Sequence, residues 1–223
     1  MKAVRVSLLL VMILGSSSFC QSEAQSLLNN ELNIPVRNLN IEAQNIHLLL
    51  SKIAYLYSVP ISLEVASDDE LLKSKHLKVQ IKTGTLANVL DTIVRQKPLY
   101  VWDVSEHTIR VFPKSQFRDP LLPVLLDLRI SRLVSAKPVI KFSFRQQLTQ
   151  QPELKNLLES YGVTASIEAF SGYDFRPFGR DFSLDFENVS VRSILNSVIR
   201  NSETKYWFIN RFGENKEYLL INF

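Results

Sequence analysis

Residues 85–95, TLANVLDTIVR, and residues 190–200, SVRSILNSVIR, write one pattern twice, 105 positions apart. Thr85 stands with Ser190, Leu86 with Val191, Val89 with Ile194, Leu90 with Leu195, Ile93 with Val198, Val94 with Ile199 and Arg95 with Arg200. The flanks agree: VQIK before the first stretch answers to LDFE before the second, and Trp102 lies 105 residues before Trp207. Each stretch reads as a polar N-cap followed by an apolar stripe at helical spacing. A chain that repeats itself this way is constrained to one small unit used twice, each unit burying its stripe against strands of its own.

The first residues, MKAVRVSLLLVMILGSSSFCQSEAQS, have the layout of a secretory signal. Lys2 and Arg5 give a positive start, Val6 to Leu14 an apolar run, and Ser-Glu-Ala at 22–24 a small-residue cut site. The run is short of the roughly 20 residues that span a bilayer, so a retained anchor is the lesser reading. Cys20, the only cysteine, follows Phe19 and Ser17, which do not suit lipid attachment, and falls inside the expected signal. The mature chain then has no thiol and a formal charge of 24 − 21 = +3, with its basic residues scattered. Behind an export signal, that mild charge argues against nucleic acid as a partner.

Within residues 34–113, NLNIEAQ alternates as a strand, and Ile46, Leu49, Leu50, Ile53, Ala54 and Tyr57 form one helical stripe. Pro60 stops that helix, and ISLEV and HLKVQIKTG alternate as strands. Between them, Ser67 and Glu70 suggest a capped helical turn at DDELLK. After the helix that begins at Thr85, LYVWDV and TIRVFP form a hairpin about SEH. In residues 124–223, LLDLRISRLV reads as a strand, and Pro138 and Pro152 break the helical content between them. PELKNLLESYG reads as a helix, VTASIEAF and GRDFSLDFENV as strands, and KYWFINRF with KEYLLINF as a closing hairpin. The expected fold is α+β: a small β-α-β-β-α-β-β module occurring twice, with helices on one face of small mixed sheets. Residues 1–24 are the signal, 25–33 and 114–123 linkers, and 34–113 and 124–223 the two units.

Catalytic signatures are absent from the sequence. It contains no G-x-S-x-G, P-loop or G-x-G-x-x-G, and six glycines leave little for phosphate-cradling loops. His47, His76 and His107 have no metal-ligand spacing, and Asp68, Asp69 and Glu70 lack the pattern of a calcium loop. The expectation is a non-enzyme with no cofactor and no metal. Trp102 and Trp207 are expected to pack on the helices. One stretch, FSGYDFRPFGR at 170–180, concentrates interface-type residues. Its Tyr173, Phe175, Arg176, Phe178 and Arg180 are the candidate partner contacts, the bland reading being a lid tucked onto the domain. Open sheet edges are a second route to a partner.

The segments NIEAQNIHLLLSKIAYLYSVPISLE, LKVQIKTGTLANVLDTIV and LYVWDVSEHTIRVFP together resemble the secretin and TonB short N-terminal domain, and residues 182–223 resemble its latter half. The resemblance covers residues 38–113 best and implies a periplasmic, non-enzymatic module. The partner it implies is an envelope protein: a secretin, a TonB-dependent receptor or a periplasmic regulator. Membrane contact would come only through that partner. No barrel follows in this sequence, so the expectation is a free-standing pair of modules in the periplasm, associated with the outer membrane through that partner. The alternative is an envelope binding protein for a glycan or small ligand that stacks on the aromatic loop.

Overall fold

The computed structural model describes residues 32–67, 76–135, 138–165, 177–179 and 182–223. The elements of the described residues are, in order, strand β1 (Pro35–Ala43), helix α1 (Ile46–Tyr57), β2 (Ile61–Glu64), β3 (Leu77–Thr85), α2 (Leu86–Gln96), β4 (Tyr100–Ser105) and β5 (Thr108–Pro113). A single 3-10 turn at Ser115–Phe117 leads to α3 (Leu121–Asp127), β6 (Arg129–Ser135), α4 (Lys141–Thr149), α5 (Pro152–Ser160) and β7 (Thr164–Ala165). β8 (Leu184–Ser190), α6 (Val191–Asn201), β9 (Tyr206–Phe212) and β10 (Tyr218–Asn222) complete it. The fold is α+β.

Local chemistry accounts for the ends of these elements. Asn45 caps α1 by accepting the Leu48 N–H at 2.8 Å, and Ser58 closes it in the left-handed region at φ 54°. The Asn88 side chain accepts the Thr85 N–H at 2.8 Å at the start of α2. Ser190 Oγ accepts the Ser193 N–H at 3.1 Å at the start of α6. Pro152 opens α5, where its missing N–H is no loss. The β9–β10 turn needs Gly213, at φ 97°, where a Cβ would collide with the Glu217 carboxylate.

The 105-residue offset recurs in the geometry. Trp102 Nε1 donates to Asp91 Oδ1 at 3.0 Å, and Trp207 Nε1 donates to Asn196 Oδ1 at 3.0 Å. Both bonds tie the first strand of a hairpin to the helix before it. In the first half the strands run in the order β4-β5-β2, and in the second β9-β10-β7. In each, the hairpin is antiparallel and its second strand pairs in parallel with the third. Each half adds a two-stranded antiparallel ribbon, β1–β3 in one and β6–β8 in the other.

The halves do not form separate sheets. β2 pairs in parallel with β9, so six strands run continuously as β4-β5-β2-β9-β10-β7. In register, Ile61 and Leu63 lie beside Tyr206 and Phe208 on one face, and these four belong to the first core with α1 and α2. Trp207 and Ile209, on the opposite face, belong to the second core with α6. The helices of the two halves therefore cover opposite faces of one sheet, and the expectation of helices on a single face holds only within each half. β9 is covered on both sides, which is why YWFI is four bulky apolar residues in a row.

Three further expectations change. LLDLRISRLV is helical up to Asp127, and only Arg129–Ser135 is strand. α3 begins inside the expected 114–123 linker and buries Leu121, Leu122, Leu125 and Leu126, which makes those residues core. Pro123 does not prevent this, because first-turn N–H groups have no intrahelical partner to lose. Between Pro138 and Pro152 the chain forms a regular helix, α4, anchored by buried Phe144 and Leu148. The DDELLK turn lies outside the described residues, as does VTASIEAF beyond Ala165.

The paired tryptophans differ in burial: Trp207 is 0% exposed, while Trp102 is half-buried. Trp207→Phe leaves a void and an unsatisfied, buried Asn196 carbonyl, so it should cost roughly 2–4 kcal/mol in urea unfolding. Trp102→Phe, which frees only an exposed carboxylate, should cost below about 1 kcal/mol.

Candidate functional site: a polar seam and two open sheet edges

The junction between the halves is built from charge as well as strand pairing. Glu64, on β2, points to the face covered by α6 and is only 3% exposed. Its Oε2 accepts from Arg118 Nε at 2.9 Å and Nη2 at 2.6 Å, and its Oε1 accepts from Arg192 Nη1 at 2.7 Å. Arg192 also reaches Asp127 at 3.4 Å. A carboxylate so far from water is tolerated because two guanidinium groups satisfy both of its oxygens. Nearby, buried Asp119 accepts the Leu121 N–H at 2.9 Å, opening α3, and pairs with Arg211 of β9 at 3.1 Å.

The β4–β5 turn docks on the same helix. Glu106 and His107 both have positive φ, 49° and 54°, which is the two-residue turn that matches strand twist. Neither is glycine, so the turn is held from outside. The Glu106 carboxylate accepts from Ser193 Oγ at 2.8 Å and Asn196 Nδ2 at 3.2 Å, and its carbonyl accepts from Arg200 Nη1 at 2.8 Å. Arg200, one of the repeated residues, thus binds across the junction.

His47 marks the opposite face of the seam. It projects from α1 onto β9, with its ring 4.2 Å from Phe208 and its Nδ1 3.1 Å from the Tyr206 hydroxyl. Burial pushes its imidazole down to about 4, because the phenol and the aromatic face offer a proton no counter-charge. Tyr206 is pushed the other way, well above the ordinary phenol range, again by burial.

Among the described residues the sheet ends in two open edges, β4 and β7. The Leu99 carbonyl accepts from Lys114 N at 2.8 Å. Alternation from that pair turns the N–H and C=O of Trp102 and Val104 away from β5, toward the free edge. At the other end Thr164 N donates to the Glu217 carbonyl at 2.7 Å, so the backbone of Ala165 faces outward.

The structure treats the expected contact residues unevenly. Tyr173, Phe175, Arg176 and Arg180 lie outside the described residues. Phe178 is 0% exposed, and its ring meets Phe144, Phe182 and Phe223 edge-on at 5.5, 5.6 and 4.9 Å. This residue is a core plug, and its candidacy as a partner contact is withdrawn. The apolar spacing of an aromatic loop could not separate a ring aimed at solvent from one aimed at the core. Beside Gly179 an open cleft of about 750 Å³ lies between β8 and α6, lined in part by Phe182, Asp185, Phe186, Asn201 and Lys205. Among the described residues no three His, Cys, Asp or Glu side chains group as a metal site, and no helix is long and apolar enough to cross a membrane.

Sequence reasoning passed over Glu64, Glu106, Arg118, Arg192 and Arg211. The one legible signal was Glu64 inside the apolar strand ISLEV, a charge where the strand's burial predicts none. Comparison with family models, with curated proteins and with solved structures finds no match to this chain.

Glu64→Ala should destabilise the fold by roughly 3–5 kcal/mol, since it strands the buried Arg192 charge, and denaturant unfolding measures the loss. The His47 contribution is fully present above the ordinary histidine value of 6.5 and is lost as pH falls toward about 4. A fall from 6.5 to about 4 corresponds to a loss of about 3 kcal/mol. Unfolding curves at a series of pH values should show the loss in the native chain and not in His47→Phe, the difference separating it from carboxylate titration.

Proposed function

We propose that this chain is an exported, non-enzymatic protein-binding module of the cell envelope, and that it serves an outer-membrane secretin or a TonB-dependent system. The observation that carries the reading is the continuous six-stranded sheet, both of whose edges are open among the described residues, its two halves locked by Glu64 and Glu106. An open edge offers unpaired backbone donors and acceptors, which bind an extended segment of another protein by strand addition. A rigid frame lowers the ordering cost of such binding. The resemblance of residues 38–113 to the secretin and TonB short N-terminal domain supports the choice of partner class, and the signal-like residues 1–24 support export to the periplasm. Tyr173, Phe175, Arg176 and Arg180 are the side chains proposed to contact the partner. The open cleft next to Gly179 favours one second reading, a glycan or small ligand held there.

In-cell crosslinking of the tagged protein in its native envelope, followed by mass spectrometry, tests the proposal. The control variant replaces Tyr173, Phe175, Arg176 and Arg180 by alanine and keeps Phe178, whose removal would open the core. Crosslinks to a secretin or TonB-linked component should fall at least about tenfold in that variant, as loss of anchoring aromatic and arginine contacts implies. An envelope fraction with no protein partner overturns the reading. A saturable glycan that raises the melting temperature, and fails to do so in Phe182→Ala, would establish the second.

A further inference from the structure

The two edges of the sheet that are free among the described residues are the two halves of a contact that the molecule already makes inside itself. β9 accepts β2 in parallel, with Ile61 N donating to the Lys205 carbonyl and Val65 N to the Ile209 carbonyl. Along that edge β9 presents the backbone of Trp207 and Ile209. β4 holds the position of β9 in the other half: first strand of its hairpin, and tied by its tryptophan to the preceding helix. The residues whose backbone it presents to its open edge are Trp102 and Val104, each 105 positions before Trp207 and Ile209. β7 in turn holds the position of β2, parallel to the second strand of its hairpin, with Ala165 facing out.

We propose that the free β4 edge of one molecule accepts β7 of a second copy as a parallel strand, repeating between molecules the β2–β9 pairing within each. The contact is head to tail, so each molecule has one donor edge and one acceptor edge, and assembly continues along the sheet rather than stopping at a dimer. Its outward groups match in kind: a parallel ladder needs alternate residues on both strands, and Trp102, Val104 and Ala165 supply them. The charged clamp of the internal junction is not repeated, because Ala87 stands 105 residues before Arg192 and Asp91 before Asn196. The contact between copies is therefore a backbone ladder without a buried ion pair, and it forms reversibly with concentration. The proposal rests on the same open edges as the binding function above, and names a second copy as one occupant.

Sedimentation velocity of the mature chain across a wide concentration series provides the test. The weight-average mass should rise with concentration and pass beyond a dimer. Val104→Pro removes an outward N–H from β4, and Ala165→Pro removes one from β7, positions where proline is tolerated on an edge strand. Each variant alone should stay monomeric, while an equimolar mixture should form a heterodimer and nothing larger, through β7 of the first and β4 of the second. Thermal melts by circular dichroism establish that both variants fold, and the native concentration series stands without either. A native chain that is monomeric throughout overturns the head-to-tail contact, as does a mixture that yields no heterodimer. In that case crosslinks to envelope partners that disappear in Val104→Pro would still uphold binding at the edge, and so keep the two proposals apart.

Discussion

Everything in this molecule hangs on β2, a strand of four residues hydrogen-bonded along both edges. On one side the Pro60 carbonyl accepts from Ile109 N of β5, and on the other Ile61 N donates to the Lys205 carbonyl ahead of β9. A strand in that position has no solvent to satisfy any of its backbone, so both neighbours are obligatory. Its side chains divide accordingly. Ile61 and Leu63 enter the first core, while Ser62 and Glu64 turn toward the helix of the second half. The carboxylate placed there needs Arg118 and Arg192, and those in turn fix the segment after β5 and the face of α6.

The seam makes the two halves mechanically one body. Core residues cross it in one sense: Tyr206, Phe208 and Leu220 of the second half complete the first core. The β4–β5 turn, in a conformation costly to residues with side chains, is held by three side chains of α6. A frame of this kind keeps its outer edges at a fixed distance and orientation, which is what strand addition by a partner, or by another copy, requires. The same seam carries its weakness, since His47 sits where a proton has no counter-charge.

Local signals were easy to read wherever local energetics decide. The stripes of α1, α2 and α6, the caps at Thr85 and Ser190, Pro152 at the start of α5 and both hairpins follow from spacing and capping chemistry. The errors share one physical cause. α3 and α4 were hidden by prolines and by weak periodicity, and they are stabilised by what they pack against: Leu121, Leu122, Leu125 and Leu126 in one, Phe144 and Leu148 in the other. Phe178 was misjudged for the same reason, because a ring in a loop belongs to whichever surface lies under it.

The sequence by itself determined that each half contains a helix of a given length and phase, a hairpin after it, and a tryptophan reaching back from one to the other. It did so because N-caps, apolar periodicity and turn residues act within a few positions of one another. Only the tertiary structure decided that β2, already paired with β5, would pair also with β9 of the other half, that the helices would cover opposite faces of one sheet, and that Glu64 would be buried between arginines 54 and 128 residues away. Strand pairing of that range is chosen by the sum of two cores and one ion network, and no short window of the chain contains enough of that sum to reveal it.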